Sequence, residues 1–518
     1  MQVLLTGTLL LTGMLLGLAG QALVAYFFGA GPRTDALFLA RDVADLAAKL
    51  FLPTQAASVL LPLYVGLRTR AGDDAAWRAV QAILTVLLGA MTPVLIGVVL
   101  LADPLVSMLA PGFPEDRQEL AADLLRILAA SGWFTLLSAL ATVLLQGRGR
   151  FGRAMLANVA GGLVVVASIV PLVGALGIEG AALAFLAGIA AQAMAGATFL
   201  VAEGMPARPR LRGEGRHVRE FARSAAPFLL NAASSQVNGV VLRIAASTLA
   251  TGLYAAFSLA GRLFRAVIAL VLGPVQYVLL PALTQSEAIH DRERADAELM
   301  AFLRQVVFLT TPVVAVLAVL NGATVSLVFE RGEFNDQDTR QTAAVLAVYA
   351  FAVLPTGVYL MLEQAAYARR RSGTVASTNI ATDLSQAALF LPFVALFGAP
   401  GLAFSALFGS LVAIAIYVAR LRPLRRADVR GHLRFAAQVT ASGLVAALAT
   451  HGVAEVVRAK VAPEGGFEQA AVVLPGALTG TLAYLAVART LRVREPLVLG
   501  AALLSIVRGA RGRRERQR

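Results

Sequence analysis

A chain of 518 residues that is 58% hydrophobic, only 15% charged and of mean hydropathy +0.73 is too apolar to be a water-soluble globule. Its apolar runs are long enough to cross a bilayer repeatedly, so the fold class expected is an all-α polytopic membrane protein. The absence of cysteine excludes disulfides, thiolate nucleophiles and cysteine metal sites; His217, His290, His432 and His451 are scattered, and no metal or cofactor is expected.

The first apolar run, Val3 to Ala30, is too long for a signal-peptide core and lacks a basic leader, so it reads as a retained first span. Continuing along the chain, hydropathy places fourteen spans, centred near residues 17, 50, 90, 132, 164, 190, 237, 267, 315, 352, 386, 410, 443 and 480. If the N-terminus is cytoplasmic, most of the 45 Lys and Arg residues fall on the cytoplasmic side, the C-terminal tail included. Arg148, Arg150, Arg153 and Arg369 to Arg371 belong to that set, whereas the charged turn from Glu330 to Arg340 is external. The net charge of +14 therefore reads as topology and contact with anionic lipid at the cytoplasmic face, not as nucleic-acid binding, since no aromatic platform or nucleic-acid module accompanies it.

The chain repeats itself at an offset of 221 residues: VGALGIEGAALAFLAG (Val173 to Gly188) aligns with VALFGAPGLAFSALFG (Val394 to Gly409), and Arg148 and Arg150 align with Arg369 and Arg371. Each repeat holds six spans, an even number, so the halves share one orientation and are related by an axis along the membrane normal. The expected organisation is an N-terminal lobe (1–205), a basic cytoplasmic linker (206–223), a C-terminal lobe (224–422), spans thirteen and fourteen (423–490) and a basic cytoplasmic tail (491–518). Two such lobes imply alternating access around a substrate site near the midplane.

Charges embedded in the spans are the candidate site. A guanidinium at the centre of a membrane helix costs about 3 kcal/mol, so it normally faces a cavity, a carboxylate or an anionic substrate. Arg243, Arg262 and Arg265 lie in the stretch from Gln236 to Arg265; the repeat sets Arg41 of span two on Arg262 of span eight, which predicts two cations facing one cleft. Asp45, four residues after Arg41, is an alternative partner for it. Asp35 and Lys49 complete the candidate substrate-binding set with Arg41, Arg243 and Arg262. No phosphate-cradling loop, nucleophile elbow or metal cluster occurs, so an enzyme is not expected.

FGAGPRTDA (Phe28 to Ala36), LAPGF (Leu109 to Phe113), GRGRF (Gly147 to Phe151), SQVN (Ser235 to Asn238), AGRL (Ala260 to Leu263), ERGEF (Glu330 to Phe334) and AAYARRRSGTV (Ala365 to Val375) resemble the MurJ/MviN lipid II flippases of bacteria. The resemblance runs through spans one to twelve in order. It implies a monomeric exporter-superfamily protein of the bacterial inner membrane that moves undecaprenyl-pyrophosphate-linked peptidoglycan precursor from the inner to the outer leaflet. A flippase for another polyprenyl-linked oligosaccharide, or a non-transporting scaffold, is the alternative. The chain departs from the family: Gly13, Gly20 and Ala48 stand where it has arginines, Pro53 where it has a carboxylate, and Arg41 and Arg243 are cations where it has none. The resemblance also implies an ion site that uses an asparagine and an aspartate of span eleven, matched by Asn379 and Asp383, with a span-seven aspartate here replaced by Arg243. Arg243 is expected either to pair with Asp383, as a tethered cation, or to bind substrate phosphate.

Overall fold

The computed structural model describes residues 2–51, 56–206, 215–288, 292–421, 429–461 and 465–493. Pro53, His290, residues 207–214 of the basic linker and the tail from 494 onward lie outside the described residues. Among the described residues there is no strand. The helices are α1 (Gln2–Phe28), α2 (Pro32–Phe51), α3 (Ala56–Leu100), α4 (Ala102–Leu109), α5 (Glu115–Ala129), α6 (Ser131–Gly147), α7 (Phe151–Leu176), α8 (Ile178–Ala202), α9 (Gly215–Ser247), α10 (Leu253–Ala288), α11 (Arg292–Phe329), α12 (Asp336–Ala368), α13 (Ser372–Phe397), α14 (Ala399–Leu421), α15 (Val429–Val461) and α16 (Ala470–Thr490). A short 3-10 turn, Gly466–Gln469, precedes the last.

Eleven described helices are long and apolar enough to cross a membrane, or twelve if Glu115–Ala129 and Ser131–Gly147, bent by 44°, form one span. The fourteen expected from hydropathy are therefore not all recovered by apolarity. The physical reason is visible in α2 and α9, which do not pass: α2 carries Arg41, Asp42, Asp45 and Lys49, and α9 carries Gln236, Asn238 and Arg243. α3 is itself two helices joined at Gly72, whose φ of +84° breaks the ladder.

The internal repeat is written into the helix boundaries. α7 and α13 begin at Phe151 and Ser372 and end at Leu176 and Phe397, each pair 221 residues apart. Both end on a glycine of the same left-handed backbone, Gly177 (φ 60°, ψ −134°) and Gly398 (φ 64°, ψ −141°). Three residues on, a Cβ at Gly180 would overlap the Leu172 carbonyl, and one at Gly401 would overlap the equivalent Phe393 carbonyl. These glycines let the next helix start directly beside the one just ended.

The chain divides into two compact units, residues 2–255 with 332–334, and residues 256–331 with 335–518. In the first, α7 and α8 pack together, α1 lies along α7, and α9 packs on α2 and α3. The Tyr64 and Trp77 rings sit 5.1 Å apart in its core. In the second, Leu272, Leu299, Met361, Leu362 and Tyr417 make a core of α10, α11, α12 and α14. α15 and α16 close against α11 in the same unit, where the Tyr484 hydroxyl donates to the Phe308 carbonyl at 2.9 Å.

Candidate functional site

Within the first unit, three of the motif blocks converge on one turn. Asp35, in the first turn of α2, has a fully buried carboxylate: Oδ2 accepts the Gly252 N–H and Oδ1 the Ala255 N–H, each at 2.8 Å. Arg117 of α5 reaches the same carboxylate at 3.4 Å, donates to the Thr251 hydroxyl at 2.5 Å and lies over the Phe113 ring. Gly112 donates to the Ser247 hydroxyl at 3.2 Å. Gly252 is left-handed (φ 86°), and a Cβ there would overlap the Ala30 carbonyl. From the other block, the Glu333 N–H donates to the Tyr26 carbonyl at 2.9 Å. Both oxygens of Asp35 thus accept from the protein's own donors, so its carboxylate holds the turn between α9 and α10.

Arg41, two turns further along α2, is different. Its guanidinium lies 4.3 Å from the centre of the Phe185 ring of α8, and its Nη1 is buried with no hydrogen-bond partner. It forms no ion pair with Asp45. A stacked cation with an unsatisfied N–H is a group with donor capacity left over.

Arg243 of α9 is 7% exposed. Its Nη1 donates to the Gly239 carbonyl at 2.6 Å and its Nη2 to the Asp42 carbonyl of α2 at 2.9 Å, while Nε is buried without a partner. The Asp42 carboxylate accepts the Tyr254 hydroxyl at 3.0 Å. Gln236, about two turns earlier on the same face of α9, donates to the Leu46 carbonyl at 2.9 Å. Gln236 and Arg243 therefore both pin α9 onto α2, and Arg243 bonds backbone of both helices. Lys49 is exposed near the end of α2.

Two of the three positions where the family carries arginines are closely packed. At Gly20 a Cβ would stand 2.9 Å from Val165 Cγ1, where α1 and α7 approach closely. Ala48 is buried.

In the second unit, Arg262 is half-buried on α10, and Tyr349 stacks on Phe264 at 4.6 Å. Asn379 of α13 donates to the Glu363 carboxylate of α12 at 3.1 Å. That bond brings a span-ten carboxylate to the asparagine that sequence reasoning paired only with Asp383. Asp383 lies one turn along the same helix and is half-buried. Among the described residues no group of three or more metal-ligating side chains occurs.

Sequence reasoning missed Arg117 and Tyr254. Their signals are weak: an arginine in a short amphipathic helix and a tyrosine beginning a span look like surface and interface residues until their partners are known. It also missed the knot at the basic end of the first unit, where Glu203 meets Arg148 at 3.2 Å, Arg150 at 2.7 Å and Arg153. Arg148 bridges further to Asp73 at 3.2 Å and donates to the Tyr64 hydroxyl at 2.8 Å. Burial alone would raise the Glu203 carboxyl; the Arg148 hydrogen bond and the charges of Arg150 and Arg153 outweigh it and hold it below the usual carboxylate range.

The model of the family described as lipid II flippase MurJ matches residues 24–466. A probable lipid II flippase MurJ of Rhizobium tropici is 27% identical over 434 residues, covering 80% of this chain and 78% of that protein. The lipid II flippase MurJ of Burkholderia cenocepacia is 24% identical over 450 residues, covering 84% and 86%. Among solved structures, lipid II flippase MurJ in its inward closed conformation superposes with a TM-score of 0.77 over 96% of this chain and 100% of that one, at 19% identity. A multidrug-resistance MATE transporter, inward-facing, gives 0.65 over 82% and 99%, at 18% identity, which is a likeness of fold. With the family model spanning most of the chain and the shared fold extending over nearly all of it, this protein belongs to the lipid II flippase MurJ family.

Proposed function

We propose that the chain is a transporter, not a catalyst, which moves lipid II from the inner to the outer leaflet of the bacterial inner membrane, with both termini cytoplasmic. The observation that carries this reading to particular residues is Arg41: a largely buried guanidinium with an unsatisfied N–H and no carboxylate partner among the described residues. A pyrophosphate crossing a low-dielectric region needs charge and donors, and a planar guanidinium supplies both in the geometry phosphate oxygens accept. Arg41 and its repeat equivalent Arg262 are the proposed phosphate contacts. Arg243 contributes by holding α9 on α2, and Asp35 by fixing the turn that follows α9. Lys49, exposed near the end of α2, is a further proposed substrate contact. Asn379, Asp383 and Glu363 form the proposed ion site of the second unit, with Arg243 standing in the first where the family carries a carboxylate. A related polyprenyl-linked glycan would meet the same cations, and anionic lipid is the partner of the basic face.

Complementation tests this. In a strain depleted of its own flippase, the wild-type chain restores growth, whereas Arg41→Ala and Arg262→Ala, expressed at equal level, do not. Growth supported by the double variant Arg41→Ala/Arg262→Ala would overturn the assignment of these cations, and failure of the wild type would favour another lipid-linked glycan or a scaffold role.

A further inference from the structure

At the basic end of the first unit the arginines fall into two groups. Arg148, Arg150 and Arg153 are each ion-paired with Glu203, Arg148 also with Asp73, and Arg68 is paired with Asp73 at 2.8 Å. Arg70 and Arg216, by contrast, form no ion pair among the described residues. Both line a cavity of about 680 Å³ between the first half of α3 and the start of α9. Arg70 stands two residues before the Gly72 break, and Arg216 and His217 open α9. The remaining charged residue of the lining is Glu220. Away from this rim the lining carries an apolar strip, Leu63 and Leu67 on α3 and Phe221 on α9, with Ser224 beside it. From Arg70 back to Val59 the α3 wall runs roughly 16 Å at the rise of an α-helix.

We infer that this cavity is a binding site for an anionic glycerophospholipid, with the phosphate held by Arg70, Arg216 and His217 and the upper acyl chain laid along Leu63, Leu67 and Phe221. The charge balance selects the ligand. Two guanidiniums against Glu220 leave about one net positive charge, which matches a single phosphodiester, whereas a pyrophosphate would meet Glu220 undercompensated. The polarity gradient selects a lipid over a soluble phosphate, because a soluble ligand would leave the apolar wall wet. The basic end of a membrane protein faces the leaflet where anionic phospholipid is concentrated, so the ligand is at hand. The site involves none of the residues proposed to contact the transported substrate, and it stands whichever lipid-linked glycan is carried.

Native mass spectrometry of the detergent-solubilised full chain, titrated separately with phosphatidylglycerol and phosphatidylcholine, tests the inference. The wild type retains phosphatidylglycerol in preference, and Arg70→Gln/Arg216→Gln lowers that retention about tenfold or more while leaving phosphatidylcholine adducts unchanged. Leu63→Trp, which fills the apolar wall and keeps every charge, lowers retention as well. Arg489→Gln/Arg492→Gln, which removes two exposed arginines far along the chain from the cavity, does not. Equal retention of the two lipids by the wild type, or a preference that survives the Arg70/Arg216 change, overturns the site. Displacement of phosphatidylglycerol by equimolar sn-glycerol 3-phosphate would reassign the cavity to a soluble phosphoester and overturn the lipid. Because the readout is binding and not transport, it fails independently of the flippase reading.

Discussion

Replacing Asp35 separates a structural carboxylate from a substrate contact. In Asp35→Asn the side chain keeps one carbonyl oxygen for a backbone amide but turns an NH2 toward the other donor, so one of the Gly252 and Ala255 N–H groups loses its acceptor. A buried donor left unmatched costs about 1–3 kcal/mol. Arg117, whose side chain is 8% exposed, keeps its charge and loses its counter-ion, and breaking such a buried pair costs about 3–5 kcal/mol in total, the two terms overlapping. The expected outcome is a clear fall in the thermal unfolding midpoint of the detergent-solubilised protein, read by intrinsic fluorescence of Trp77 and Trp133, together with loss of complementation. Adding Arg117→Gln to Asp35→Asn should cost much less than Arg117→Gln alone, because the partner is already gone. Wild-type unfolding of Asp35→Asn together with lost transport would refute the turn-holding role and return Asp35 to the substrate site.

Arg41→Ala should abolish complementation while changing unfolding by no more than about 1 kcal/mol, since among the described residues the interaction lost is the cation–π contact with Phe185; a large stability loss would mark it as structural. Gly252→Ala forces a left-handed non-glycine residue and a clash with the Ala30 carbonyl, so it should destabilise by about 1–3 kcal/mol and lower the amount of folded protein; normal yield and melting would contradict the close approach. The lowered Glu203 carboxyl contributes stability that is present above the ordinary carboxylate range and is lost as pH falls through its depressed value. Unfolding followed from neutral pH into that acid range should therefore steepen in the wild type relative to Glu203→Gln, and identical acid profiles would count against the arginine knot. Arg370→Cys, in this cysteine-free chain, should react with an impermeant thiol reagent only after the membrane is opened; labelling of intact cells from outside would reverse the orientation.

The membrane class, the two-fold internal repeat and the family were all legible in the amino-acid sequence, because each is carried by local pattern. Apolar runs declare spans by length alone, and the 221-residue offset survives as helix ends at Leu176 and Phe397 because a left-handed glycine cap is needed wherever a helix must stop and its successor start beside it. Which embedded charge does what was decided only by tertiary structure. Along the chain Asp35, Arg41 and Arg243 all read alike as charges embedded in spans, each costly to bury without a partner. Their roles separate through partners distant in sequence: two amides of the turn at 252–255 for Asp35, the Asp42 carbonyl for Arg243, and, among the described residues, the Phe185 ring for Arg41. The same holds for the blocks FGAGPRTDA, LAPGF and ERGEF, which carry the family resemblance along the chain and meet around one turn. A motif reports that backbone and side chains must meet something closely. Whether that something is a substrate or another stretch of the chain depends on long-range contacts, and no local periodicity encodes them.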